Sequence, residues 1–338
     1  MVMEKGGQSL IERANYSRFQ GLKKGFYESY FLRANHPEKP QAFWIRYTVF
    51  EPRKVSAPTI GELWATWFDG ETGHHVSVKS ERPIADCHFD KDRFLVRVGE
   101  ALLEDNQAAG AAGDEDTIAW ELGFSGGGEP LFLLPHNLYE TGFPKAKALV
   151  GRPLAVFNGR LVVNGVSREI RDWVGSQNHN WGVKHTDSYA WGQVAGFDDN
   201  PDSFLELTTA RLKFGPVYSP RMTLMVLRHG GREYRLNSIG QSLRAFGRFS
   251  YFKWEFRSVT KEIAMQGSIL ADRGDFVGLR YYNPPGGIKH CLNTKIAACR
   301  LMIEKGLGGG QVVLETKSRA AFEIFTDDHQ SHRVPIFA

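Results

Sequence analysis

The chain has 338 residues, long enough for two domains that each bury a core of their own. With 42% apolar and 24% charged residues it has a globular balance, which excludes a disordered, collagenous or fibrous chain. Its formal charge of +4 comes from Lys and Arg dispersed among Asp and Glu, so no basic stripe for nucleic acid is expected.

The 8 Trp and 23 Phe supply large rigid surfaces for cores or for an apolar cavity, which points to a hydrophobic small-molecule ligand. Cys87, Cys291 and Cys299 are odd in number and lack CxxC spacing, which predicts neither a disulfide framework nor a zinc cage and favours a reducing compartment. Met1–Gln20 has no apolar signal core, and no later stretch has the length of a membrane span. A cytoplasmic protein without integral membrane association is the expectation.

In chain order, period-2 alternation with β-branched and aromatic residues predicts strands at Phe43–Phe50, Leu63–Phe68, Phe94–Val98, Thr117–Phe124, Ser188–Val194, Phe204–Phe214, Thr223–Arg228 and Phe249–Phe256. In the first, Phe43, Ile45, Tyr47 and Val49 share one face and Trp44, Arg46, Thr48 and Phe50 the other. Turn dipeptides stand at Asp69-Gly70, Asn158-Gly159, Asn164-Gly165 and Gly230-Gly231, and Asn164-Gly165 is the clearest hairpin signal. Ala101–Asp116 reads as a surface loop or an excursion between hairpin arms, His74-His75 as a solvated turn, and Asn293–Lys305 as a short helix or another strand.

Strand–helix–strand spacing is missing, which argues against a parallel α/β enzyme. Gly123-Phe124-Ser125-Gly126-Gly127 matches a nucleophile-elbow pattern without the helix that motif requires, and Gly306–Gly310 lacks the helix of a phosphate cradle. Both read as turns. Phe43–Phe50 followed by Leu63–Gly70 is echoed by Phe204–Arg211 followed by Leu224–Gly231, each with Pro in the connection. The fold class read from this is all-β, with two packed antiparallel β-barrel domains at 1–185 and 186–338.

The densest run of unusual residues is Trp173–Trp191. Gln177, Asn178, His179 and Asn180 must hydrogen-bond one another or face a cavity, because an unpaired buried polar group costs about 1–3 kcal/mol. One reading is a structural polar network at the domain junction. The other makes His179 a general acid or base, oriented with Asp187, while Trp181, Tyr189 and Trp191 wall a pocket. His179, His185 and Asp187 match no usual metal spacing, so no metal is expected. Arg46 with Glu62, and Glu206 with Arg211, interrupt apolar strands as a pair of structural clamps or as ligand contacts.

The segments Phe43–Thr48, Gly61–Ala65, Gln177–Gly182 and Tyr189–Gln193 resemble the hydroxyneurosporene synthase (carotenoid 1,2-hydratase)-like and AttH-like family, with tocopherol cyclases and fungal Diels–Alderases as more distant relatives. The similarity spans roughly residues 25 to 330 and is nearer to the AttH-like members than to the carotenoid enzymes. It implies two lipocalin-like (calycin) barrels and cofactor-free acid–base chemistry, hydration or cyclisation, on an isoprenoid, lipid or polyketide-like compound, with a non-catalytic carrier as the alternative. It also implies that His179 and Trp181, and more loosely Asp187, belong to the active block; with the residue reading above, the expected site has His179 and Asp187 as catalytic and Trp44, Arg46, Glu62, Trp64, Gln177, Asn178, Trp181, Tyr189, Trp191, Glu206 and Arg211 as ligand-binding.

Overall fold

The computed structural model of the chain describes residues 9–306 and 310–338, so Met1–Gln8 and most of the glycine-rich turn Gly306–Gly310 lie outside the described residues. Two large antiparallel sheets follow one another along the chain. The first runs from the strand Phe26–Asn35 to Val166–Gly182, and the second from Ser188–Phe197 to Gln311–Thr326.

Both sheets follow the same path. In the first the order is Ile60–Asp69, Gln41–Glu51, Phe26–Asn35, Val166–Gly182, Ala146–Val163; in the second it is Met222–His229, Asn200–Arg211, Ser188–Phe197, Gln311–Thr326, Ile288–Lys305. The echo seen in the sequence therefore falls on equivalent strands. The first sheet curls until Val76–Pro83 approaches Gln107–Gly113, where the Gly113 amide donates to Ser80 Oγ at 2.9 Å, and it becomes a nearly closed barrel that leaves little exposed edge.

The two sheets are filled independently. Phe43, Tyr47, Trp120 and Phe157 belong to the first core, and Leu207, Met225, Trp254 and Phe322 to the second. Alternation puts the opposite face of the same strands elsewhere: Phe31, Trp44 and Trp64 meet Trp191, Leu279 and Phe325 in a third apolar cluster between the sheets. Phe26–Asn35, Gln41–Glu51 and Ile60–Asp69 are consequently buried on both faces.

Several expectations change. Ala101–Asp116 is not a loop, because Ala101–Glu104 and Gln107–Gly113 pair as strands in which small residues pack closely. Phe249–Phe256 is a hairpin rather than one strand, turning at Phe252, whose φ is 74°. Asn158-Gly159 lies inside Ala146–Val163 at a register shift, not in a turn. Asn293–Lys305 belongs to the strand Ile288–Lys305. His75 is buried rather than solvated, its Nδ1 accepting from the Asp69 amide at 3.1 Å. Asn164-Gly165 is the hairpin turn expected, with φ of 48° and 79°, values that Asn and Gly adopt at low cost.

Candidate functional site

Alternation splits the Gln177–Trp181 run between two environments. Val166–Gly182 pairs with Phe26–Asn35, bringing His179 beside Tyr30 and Asn178 beside Phe31. Tyr30 belongs to the first core and Phe31 to the cluster between the sheets. The His179 ring stacks on Tyr30 with centroids 4.2 Å apart. Its Nδ1 donates to the Ala14 carbonyl at 2.7 Å, and its Nε2 faces Glu28 Oε1 at 2.9 Å. Neither ring nitrogen is left for a ligand.

Glu28 also accepts from Ser17 Oγ and from the amides of Arg18 and Phe19. Gln177 exchanges two hydrogen bonds with Asn15, at 2.8 and 3.1 Å. Gly151 makes room for this, since a Cβ there would come within 2.0 Å of Gln177 Oε1. Gln177 and His179 thus fasten the segment around Ala14–Phe19 onto the first barrel. A polar recess of about 380 Å³, bordered by Glu12, Asn15, Arg93 and Arg152, lies under that segment.

The opposite face borders a mainly apolar cavity of about 210 Å³ between the two sheets. Of the residues expected in the site, Trp44, Arg46, Asn178 and His179 line it from the first sheet. Tyr189, Trp191 and Glu206 line it from the second. Glu62, Trp64, Gln177, Trp181, Asp187 and Arg211 are not on its wall.

Neither expected Arg–carboxylate clamp is formed. Glu62 pairs instead with Lys79 at 2.7 Å, and Arg211 donates to the Ser219 carbonyl and lies over Tyr218. Asp187 is held by Lys184 and accepts from the Lys213 amide at 2.9 Å, in the turn that joins the sheets.

Glu206 is the titratable group that stands out on the cavity wall. It accepts from Trp191 Nε1 at 2.8 Å and from Gln193 Nε2 at 2.7 Å. Burial pushes its pKa up to about 7, against the lowering effect of those two donors and of Arg33. Glu323, the other carboxylate on the wall, is paired with Lys295 at 2.7 Å. Lys295 lies over the Trp44 and Trp191 rings, and burial lowers its pKa. Arg33, buried and pushed down to about 9 by desolvation, donates to Gln193 Oε1 at 2.8 Å.

The sequence did not mark Tyr27, Phe31, Tyr281, Gln193 or Glu323 as site residues, and it brought up His185 only in a metal pattern whose spacing fits no usual site. Phe26–Asn35 is buried on both faces, each of which mixes polar with apolar residues, and so shows no alternation to mark it as a strand. Glu323 and Gln193 are single polar residues in apolar runs, the same signal that drew attention to Glu206.

Fold and cavity together define a class: an all-β protein of two packed, lipocalin-like antiparallel sheets with a mainly apolar cavity between them. A candidate AttH protein from Nitrosomonas europaea shares the fold, with a TM-score of 0.60 at 12% identity over 96% of this chain and 98% of that one. CghA superposes with a TM-score of 0.51 at 11% identity, over 91% and 90% of the two chains. Kievitone hydratase from Nectria haematococca gives 0.49 at 10% identity, over 91% and 93%. In sequence, uncharacterized proteins of two Mycobacterium tuberculosis strains, CDC 1551 / Oshkosh and H37Rv, are each 24% identical over 278 residues, 81% of this chain and 80% of theirs. No family model matches. Among the described residues no helix is long and apolar enough to cross a membrane.

Proposed function

We propose that the chain belongs with the AttH-like proteins, divides into units 1–185 and 186–338, and binds a hydrophobic small molecule in the cavity between them. Glu206 gives that molecule a proton, in a cofactor-free hydration, cyclisation or isomerisation. The observation that carries this reading is a fully buried carboxyl with a pKa pushed up to about 7, on the wall of an aromatic cavity. A group that titrates near neutrality is the best compromise between being protonated and giving the proton up. Trp44, Tyr189 and Trp191 present π faces able to stabilise positive charge that develops when an alkene is protonated. Glu323, paired with Lys295 at 2.7 Å, is the second carboxyl group on the same wall.

In this reading His179 acts by position, fastening the Ala14–Phe19 segment, and Asp187 ties the turn between the units. The test begins with solvent extraction of the purified protein and mass spectrometry of what is released. The recovered compound is then incubated in heavy water with wild type and with Glu206→Gln. Deuterium entering the compound with wild type, and at least about 100-fold more slowly with the variant, is expected. A compound returned unlabelled by wild type would leave a carrier in place of an enzyme.

A further inference from the structure

Arg46 bears on what the ligand must carry, on the reading that the cavity holds one. The side chain is buried, with the residue 5% exposed, and it lines the cavity. Its hydrogen bond runs from Nη2 to Ser29 Oγ at 2.6 Å, its guanidinium lies 4.3 Å from the centre of the Tyr281 ring, and its Nε has no partner. The nearby carboxylates are engaged elsewhere, Glu62 by Lys79 and Glu323 by Lys295, each at 2.7 Å. Among the described residues, then, no carboxylate forms an ion pair with Arg46.

Charge balance between the sheets points the same way. Arg33, Arg46 and Lys295 are buried there as cations, against Glu323 and a Glu206 that is partly protonated at neutral pH. Glu62 and Glu323 lie near enough to favour the charged form of Arg46, but neither closes an ion pair with it, and a buried guanidinium with an unpaired Nε is a costly arrangement unless something completes it. Arginine's planar fork of donors suits an oxyanion better than any other partner. The aromatic and aliphatic side chains that make up most of the wall suit an apolar body.

We propose that the ligand is an amphiphile whose apolar body lies against Trp44, Tyr189 and Trp191 and whose carboxylate-type oxyanion pairs with Arg46. A bare hydrocarbon would leave Arg46 unmatched and is the poorer ligand.

The experiment uses the full chain with N-phenyl-1-naphthylamine as a neutral fluorescent probe, displaced by laurate or by dodecanol. These two share a chain length and differ in head group. Wild type is expected to prefer laurate by at least about tenfold. Arg46→Met should abolish that preference while leaving dodecanol affinity within about twofold, and Arg46→Lys should keep part of it. Retained dodecanol binding shows that a variant is folded. Equal wild-type affinity for the two displacers overturns the proposal whatever the variants do, as does an Arg46→Met protein that loses both equally while its circular dichroism is unchanged. A probe that does not bind wild type at all removes the cavity reading itself.

Discussion

Arg33 and Gln193 lie in equivalent strands of the two sheets and meet across the interface, Arg33 Nε donating to Gln193 Oε1 at 2.8 Å. Each lies in the first strand of its sheet and points from the centre of that sheet toward the other. Gln193 Oε1 also accepts from Ser176 Oγ at 2.6 Å, and Nε2 donates to Asn178 Oδ1 and Glu206 Oε2 at 2.8 and 2.7 Å. One amide thereby uses both donors and both acceptor sites to join the sheets and to hold the proposed acid.

Gln193→Ala should lower stability by about 3 kcal/mol, because Arg33, Ser176 and Asn178 each lose a partner in a buried setting. Urea denaturation at fixed pH measures it. A loss under about 1 kcal/mol would mean that water replaces the amide at little cost.

Glu206 makes stability fall as pH rises. Its pKa is raised from 4.5 to about 7 in the folded protein, so its contribution is complete below 4.5 and is lost as pH climbs through 7. Between pH 5 and 8 wild type should lose about 2 kcal/mol relative to Glu206→Gln, read from parallel denaturation curves. A gap that stays constant across this range would contradict the assignment. Any proton-donating activity should fall over the same window, above about pH 7.

His179→Ala should cost about 3 kcal/mol and leave Glu28 buried without its imidazole partner. Limited proteolysis should then cut within Ala14–Phe19, while N-phenyl-1-naphthylamine still binds. Loss of probe binding in a folded variant would return His179 to the ligand site.

Ala210 borders the cavity, and Ala210→Trp should fill it. Probe binding is expected to fall at least about tenfold with a native circular dichroism spectrum, since the added ring occupies ligand volume. Unchanged probe binding would place the probe elsewhere.

The sequence supports the strand reading where one face differs from the other. Thr117–Gly126 and Lys253–Val259 alternate because one face meets water and the other a core. The same rule is silent for Phe26–Asn35, where both faces are buried, and it misplaced Ala101–Asp116, whose small residues have little hydrophobic pattern to read. In Gln177–Trp181 the sequence exposed a concentration of polar groups but not their partners. Those partners come from Ala14, Asn15 and Glu28, far away along the chain, and from Gln193 in the next strand of the other sheet.

What the sequence determined by itself was an all-β chain with one repeated pair of strands, because alternation, aromatic content and turn dipeptides act over a few residues. What the tertiary structure alone decided was which polar residues face the cavity. Facing depends on register, and one residue's displacement moves a side chain to the other side of the sheet. His179 borders the cavity but has its ring stacked on Tyr30 and both nitrogens engaged by Ala14 and Glu28, while Arg46 and Glu206, from different sheets, come to the same cavity wall.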